Sequence, residues 1–175
     1  MAFNIGNFLD TMQGDGVRPN LFDVFVPSVG GNFTFKAKAT SIPSSSIGVA
    51  STFYYGRQAK FAGNRTFDNW SVTVLLDELD YNSGGVRGSF EAWSSLINAH
   101  RQNIRLSGNS LGSYARNCTV IQKGKAGPNI GTYTMVGAFP IDISAISLDW
   151  GANDTIAEFT VTFSYQWWES LAVKN

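Results

Sequence analysis

Apolar and polar residues alternate with a period of two through much of this chain. From Ala157 onward the odd positions Phe159, Val161, Phe163, Tyr165 and Trp167 are apolar, and the intervening Glu158, Thr160, Thr162, Ser164 and Gln166 are polar. That pattern predicts a long strand with one buried face, with Trp167 inward and Trp168 turned the other way. Trp70, Val72, Val74 and Leu76 against Ser71, Thr73, Leu75 and Asp77 predict a second strand. Phe33, Phe35, Ala37 and Ala39 against Thr34, Lys36, Lys38 and Thr40 predict a third. Shorter strands are expected at 21–26, 52–61, 114–123, 132–138 and 141–148. In the last of these the apolar parity switches from Ile141 and Ile143 to Ile146 and Leu148, as a bulge or a strand that changes partners would require.

Helical spacing occurs in two places. Val86, Phe90, Trp93 and Ile97 fall on one stripe of a helix running roughly over 86–100. Ile5, Phe8, Leu9 and Met12 suggest a short amphipathic turn within an N-terminal arm, residues 1–17. No repeat or linker divides the remainder. The fold class is therefore mainly β: an antiparallel sandwich or barrel of about eight strands over 18–169, one helix packed on its outside, and a short C-terminal tail at 170–175.

Composition narrows the function. The 175 residues carry 13 Lys+Arg against 13 Asp+Glu, a net charge of zero, which argues against a general nucleic-acid binder built on phosphate contacts. The single cysteine, Cys118, excludes an intramolecular disulfide framework, and a chain of this size buries enough surface to fold without one. Met1 to Gly16 lacks a basic segment followed by an unbroken apolar run, and no stretch approaches the length of a membrane span, so neither a signal peptide nor a membrane anchor is expected.

Candidate catalytic chemistry is sparse. Gly108-Asn109-Ser110-Leu111-Gly112 matches the nucleophile-elbow string of serine hydrolases. That motif needs a strand-turn-helix setting and a downstream histidine, whereas here a strand is expected to follow and the only histidine, His100, lies upstream. His100 alone cannot assemble a metal site, and it suits a helix C-terminus. Asp77-Glu78-Leu79-Asp80 lacks calcium-loop spacing and reads as a solvated strand end. No enzyme activity, metal or cofactor is expected.

Two features point to association instead. Trp168, on the polar parity, would meet another subunit, the N-terminal arm, or a sugar. Charge is also segregated: between Glu91 and Asp142 lie Arg101, Arg105, Arg116, Lys123 and Lys125 with no acid, and from Asp142 to Glu169 lie Asp142, Asp149, Asp154, Glu158 and Glu169 with no base. Such blocks suit a positive surface on one copy meeting a negative one on the next, unless sheet pairing mixes them inside one subunit. Arg101, Arg105 and Arg116 facing Asp149, Asp154 and Glu158 are the candidate complementary set.

The ordered segments Arg18-Pro19-Asn20-Leu21-Phe22, Ala62-Gly63-Asn64-Arg65-Thr66-Phe67-Asp68-Asn69-Trp70, Tyr114-Ala115-Arg116, Gly137-Ala138-Phe139-Pro140, Leu148-Asp149-Trp150 and Val161 to Glu169 resemble the tail tube proteins of contractile-tailed bacteriophages, a family related to type VI secretion tube proteins. The resemblance implies a structural virion protein in place of an enzyme. Copies would close into a hexameric ring, and rings would stack into a hollow tube through which DNA passes without specific binding. It also implies sheath, baseplate and tape-measure partners, residence in the virion, and assembly in the host bacterial cytoplasm. The other member of that fold group would be a tube in a type VI or extracellular injection system. The Ser-rich segment 41–50, with Ser44, Ser45 and Ser46, and the arm with Phe8 and Met12 are then expected, with Trp168, to reach a neighbouring subunit or ring.

Overall fold

The computed structural model describes residues 5–12, 16–30 and 33–173. Parts of the expected arm (1–4 and 13–15) and the last two residues of the expected tail lie outside them. The elements run α1 (Ile5–Thr11), β1 (Phe22–Phe25), α2 (Phe33–Lys36), β2 (Ala37–Thr40), β3 (Ser46–Tyr54), β4 (Arg57–Thr66), β5 (Trp70–Leu75), a 3-10 turn (Glu78–Tyr81), α3 (Val86–Ile97), α4 (Leu111–Tyr114), β6 (Arg116–Lys123), β7 (Asn129–Ile143), β8 (Glu158–Ser164) and β9 (Trp167–Ser170).

Seven strands form one antiparallel sheet in the order β1-β6-β7-β8-β5-β2, with β9 added beside β7. The path does not close, so the domain is a sheet folded over its own core with β1 and β2 at its edges. The fold is made by β7, whose first part pairs with β6 and β9 and whose last part pairs with β8. The change happens at Gly137, which has φ of 66° and interrupts the β6 register between Met135 and Ala138. Its N–H is held by the Asn117 side-chain oxygen at 3.1 Å, and an added Cβ would come within 3.1 Å of Gln166. Glycine answers both demands there.

Inside the fold, Val24, Trp70, Val72, Val74, Cys118, Val120, Met135, Phe159, Val161 and Phe163 form one apolar cluster. The alternating burial of β5 and β8 matches their sequence pattern residue by residue. Helix α3 closes the cluster through Val86, Phe90 and Trp93. Phe90 makes edge contacts with Phe33, Phe159 and Phe163 at centroid distances of 5.6, 6.3 and 5.9 Å. Burial pushes the Cys118 thiol up to about 12, so it is an inert apolar filler at neutral pH.

A buried ion pair anchors the start of α3. Asp80 is 2% exposed and receives Lys36 Nζ at 2.7 and 2.8 Å on its two oxygens. It also accepts the backbone N–H groups of Asp77 at 2.8 Å and Val86 at 3.2 Å, the second being the first residue of the helix. Burial works to raise the carboxyl, but the Lys36 hydrogen bond and the two N–H donors outweigh it and hold Asp80 below the usual carboxylate range. Lys36 is likewise raised: burial works against its charge, and the contacts with Asp80 and Asp77 overcome that. In the stretch 77–80, Asp77, Glu78 and Leu79 are exposed just beyond β5, as a solvated strand end would be, whereas Asp80 is buried.

Four further expectations change. Phe33–Lys36 is one helical turn, because residues two apart on a helix face opposite ways: Phe33 is buried and Phe35 exposed. The segments expected as strands at 132–138 and 141–148 merge into β7, which has a second irregularity between Pro140 and Asp142, and 144–149 are not strand. The stretch 52–61 is the tip of a hairpin, with 46–50 in its first strand instead of a loop. Helix α3 ends at Ile97, leaving His100 in the following turn.

Candidate subunit interface

The hairpin β3-β4 is a separate two-stranded sheet attached to the domain only at its root. Its turn is Tyr55-Gly56, with φ of 47° and 80°. Two consecutive positive φ values are the geometry of the two-residue hairpin turn that follows the natural strand twist. All nine residues of β3 and nearly all of β4 are exposed, and strands and turn together present Ile47, Val49, Phe53, Tyr54, Tyr55 and Phe61 to solvent. Cross-strand partners share a face, so Val49, Phe53, Ser51, Lys60 and Ala62 lie on one side. Ala50, Thr52, Tyr54, Ala59 and Phe61 lie on the other. Neither face meets the domain core.

At the root, the serines expected to reach a neighbour are bonded within their own chain. Ser44 Oγ donates to Asp68 Oδ2 at 3.1 Å, Ser45 Oγ accepts from Arg65 at 2.8 Å, and the Ser46 and Thr66 hydroxyls lie 2.7 Å apart. Trp168 Nε1 donates to the Ser44 carbonyl at 3.1 Å, and its ring meets Tyr133 edge-on at 5.7 Å while packing against the core. The parity reading of the tryptophan pair is therefore reversed. Strand β8 stops at Ser164, the chain bends through Tyr165 and Gln166, and β9 starts a new register against β7. The bend puts Trp168 on the root of the hairpin and leaves Trp167 46% exposed, with its Nε1 on Glu169.

The complementary charge set also divides. Glu158 pairs with Lys38 of its own chain, and Arg116 donates to the carbonyl of Ala115 at 2.9 Å and lies near Ser28. Both therefore have partners within the subunit. Arg101 and Arg105 remain exposed in the segment after α3, with Arg105 over the Tyr114 ring at 4.9 Å. Asp149 and Asp154 are exposed in the long connection between β7 and β8. Helix α1 buries none of its residues and exposes Ile5, Phe8 and Leu9, and Met12 just beyond it is also exposed.

Sequence reasoning missed the exposed hairpin apolars and Trp150, which is fully solvent-exposed. Tyr55-Gly56 between two β-rich runs was the available signal for the hairpin. Ser110 of the hydrolase-like string precedes the single turn α4 and sits in no elbow, while His100 lines a separate cleft with Arg87, Glu91 and Asp142. Among the described residues no helix is long and apolar enough to cross a membrane.

The domain thus leaves extensive apolar surface exposed on its projecting elements. The family profile described as "Phage tail tube protein" matches residues 3–171. The chain is 33% identical over 158 residues to tail tube protein gp19 of Enterobacteria phage T4, covering 90% of this chain and 93% of that one. It is 29% identical over 130 residues to the tail tube protein of Serratia phage KSP90, covering 74% and 70%. Among solved structures, a chain from the sheath-tube complex of an extracellular contractile injection system shares the fold. Its TM-score is 0.62 and its identity 18%, with 93% of this chain and 95% of that chain covered. A match over nearly the whole length, at an identity that carries homology, decides the matter: the chain belongs to the phage tail tube protein family.

Proposed function

We propose that this protein forms hexameric rings that stack into the hollow tube of a contractile phage tail, and that the tube conducts DNA into the host. The observation that carries the reading is the hairpin β3-β4, exposed on both faces with six large apolar side chains. An isolated two-stranded hairpin is marginal in water, and apolar surface of this extent calls for a partner. In a homo-oligomer that partner is another copy. The open edges β1 and β2 offer lateral pairing, and a head-to-tail contact whose rotation closes gives a ring.

The polar face of β5 and β8 suits the wall of a DNA conduit. It presents Ser71, Thr73, Thr160, Thr162 and Ser164, with the Thr73 and Thr160 hydroxyls 3.2 Å apart and no Lys or Arg between them. Hydroxyls keep such a face wet without the cationic phosphate contacts that would hold DNA back. Lys38, on the adjacent strand β2, is paired with Glu158. Phe8 and Met12 of the arm reach a neighbouring subunit, sheath and baseplate proteins meet the outside of the tube, and a tape-measure protein occupies the bore during assembly. The same assembly carrying protein cargo in an injection system is the second reading; the sequence relatives at 33% and 29% identity, both phage tail tubes, favour DNA.

Negative-stain electron microscopy of the purified protein tests this directly. Rings or tubes with a central channel are expected. Dispersed monomers at high concentration, with no growth from a baseplate-like initiator, would overturn it.

A further inference from the structure

The tube reading leaves open where copies grip one another, and two loops at opposite ends of α3 supply a specific answer that rests on that reading. The connection 144–157 lies at the N-terminal end of the helix, where Arg87 donates to the Ser144 carbonyl at 2.9 Å. The connection 98–110 lies at the C-terminal end, where the N–H groups of Leu106 and Ser107 bond to the Leu96 carbonyl at 3.2 and 2.8 Å. Along a helix of 12 residues the two ends are about 18 Å apart.

Each loop has the same design with opposite charge. The first exposes Leu148, Trp150 and Ile156 beside Asp149 and Asp154, and holds no basic residue. Asp149 accepts the Gly151 N–H at 2.9 Å on its side chain and the Ala152 N–H at 3.1 Å on its carbonyl, a tight turn that keeps Trp150 out in solvent. The second exposes Ile104 and Leu106 beside Arg101 and Arg105, next to the exposed Leu96, and holds no acidic residue. It is braced by Ala99 N–H to the Ile104 carbonyl at 2.8 Å and by the Asn98 side chain to Asn103 at 2.7 Å. Both surfaces are ordered before contact, which lowers the entropic cost of docking.

We propose that the Trp150 loop of one copy docks on the Arg101–Arg105 loop of the next, Trp150 entering between Leu96, Ile104 and Leu106 while the two aspartates face the two arginines. Opposite ends of one helix cannot meet within a subunit, so the contact joins two copies; in the ring proposed above it is made head-to-tail, each copy giving its Trp150 loop to one neighbour and its arginine loop to the other. That class of contact propagates into rings or filaments and does not stop at a dimer. A fully exposed tryptophan among opposite charges is the kind of anchor that dominates an interface.

Two charge-reversed proteins test the contact: Asp149→Lys with Asp154→Lys, and Arg101→Glu with Arg105→Glu. All four positions are exposed, but Asp149 caps the Gly151 N–H and Asp154 has φ of 60°, so the arginine-to-glutamate variant should melt as the parent does and the lysine variant slightly below it. Like charges then face each other in either variant alone, and the concentration needed for assembly, read by light scattering and microscopy, should rise more than about tenfold. Mixed one to one, every contact again pairs opposite charges and assembly should return. If either variant assembles like the parent, or the mixture does not recover, the contact is wrong while the tube reading stands. A parent protein that never assembles removes both.

Discussion

The sheet around β5 and β8 and the hairpin β3-β4 are built from similar residues to different ends. Both are β-rich, both pair antiparallel, and both mix large apolar with small polar side chains. In the sheet, every apolar side chain on one face of β5 and β8 is buried, and α3 seals that face with Phe90 and Trp93. In the hairpin the apolar residues are divided between two faces and none is covered. One region completes itself within a single chain. The other leaves its large apolar side chains uncovered, and under the proposed assembly stability and association are separately encoded. Substitutions should separate them.

The largest loss of monomer stability is expected from Phe90→Ala. Phe90 touches aromatic rings from α2 and β8 and from its own helix, so removing it opens a cavity at the seal of the core. Denaturant unfolding should show a loss of about 3–5 kcal/mol. A loss below about 1 kcal/mol would mean that α3 is a peripheral cover.

Asp80→Asn should follow, costing about 3 kcal/mol because it leaves Lys36 in a largely enclosed site with only the longer 3.5 Å contact to Asp77 as a charge partner. The pH dependence has a fixed sign. Asp80 is held below its unfolded value, so its contribution is complete above about pH 4 and is lost as pH falls through the folded value. Lys36 is raised, so its contribution is complete below about pH 10 and is lost as pH rises through its folded value. The parent should therefore lose stability in acid more steeply than Asp80→Asn. Parallel acid profiles from thermal melts would assign the acid sensitivity elsewhere.

The same contrast explains what could be read in advance. The strands β5 and β8 and the start and stripe of α3 were legible because burial of one face imposes a period on the sequence. The hairpin was not, since with both faces exposed nothing constrains the order of its residues, and its turn was hidden inside an apparent strand. Phe33 and Phe35 mimicked strand alternation although one is buried and the other in solvent across a single helical turn. Trp167 and Trp168 were assigned to the wrong sides because parity holds only while the strand continues, and the bend at Tyr165-Gln166 resets it. Of the charged residues, sequence identified the two blocks but not which members sheet pairing consumes. That depended on Lys38 lying within reach of Glu158 across β5.

Trp168→Phe probes the joint between the two regions. The ring volume largely survives, but the bond from Nε1 to the Ser44 carbonyl is lost, which should cost about 1 kcal/mol in monomer stability. It should also loosen the hairpin root, read as faster amide exchange at 44–47. An unchanged melt with unchanged exchange would place the control of the root in Arg65 and Asp68 instead.

The smallest effect on the monomer and the sharpest test of the contrast is the double change Phe53→Ser with Phe61→Ser. The two rings lie on opposite faces of the hairpin and touch nothing in the core cluster. Surface changes of this kind move stability by no more than about 0.5 kcal/mol, and here the unfolded chain also loses apolar surface to hide. If the hairpin is an assembly element, the same protein that melts normally should fail to form tubes, because both faces would then lack the side chains a partner covers. Normal melting with normal tubes would show that the hairpin is dispensable to assembly. Poor melting would show that the hairpin packs against its own domain in solution, and the division between a self-sufficient sheet and a partner-dependent hairpin would fall.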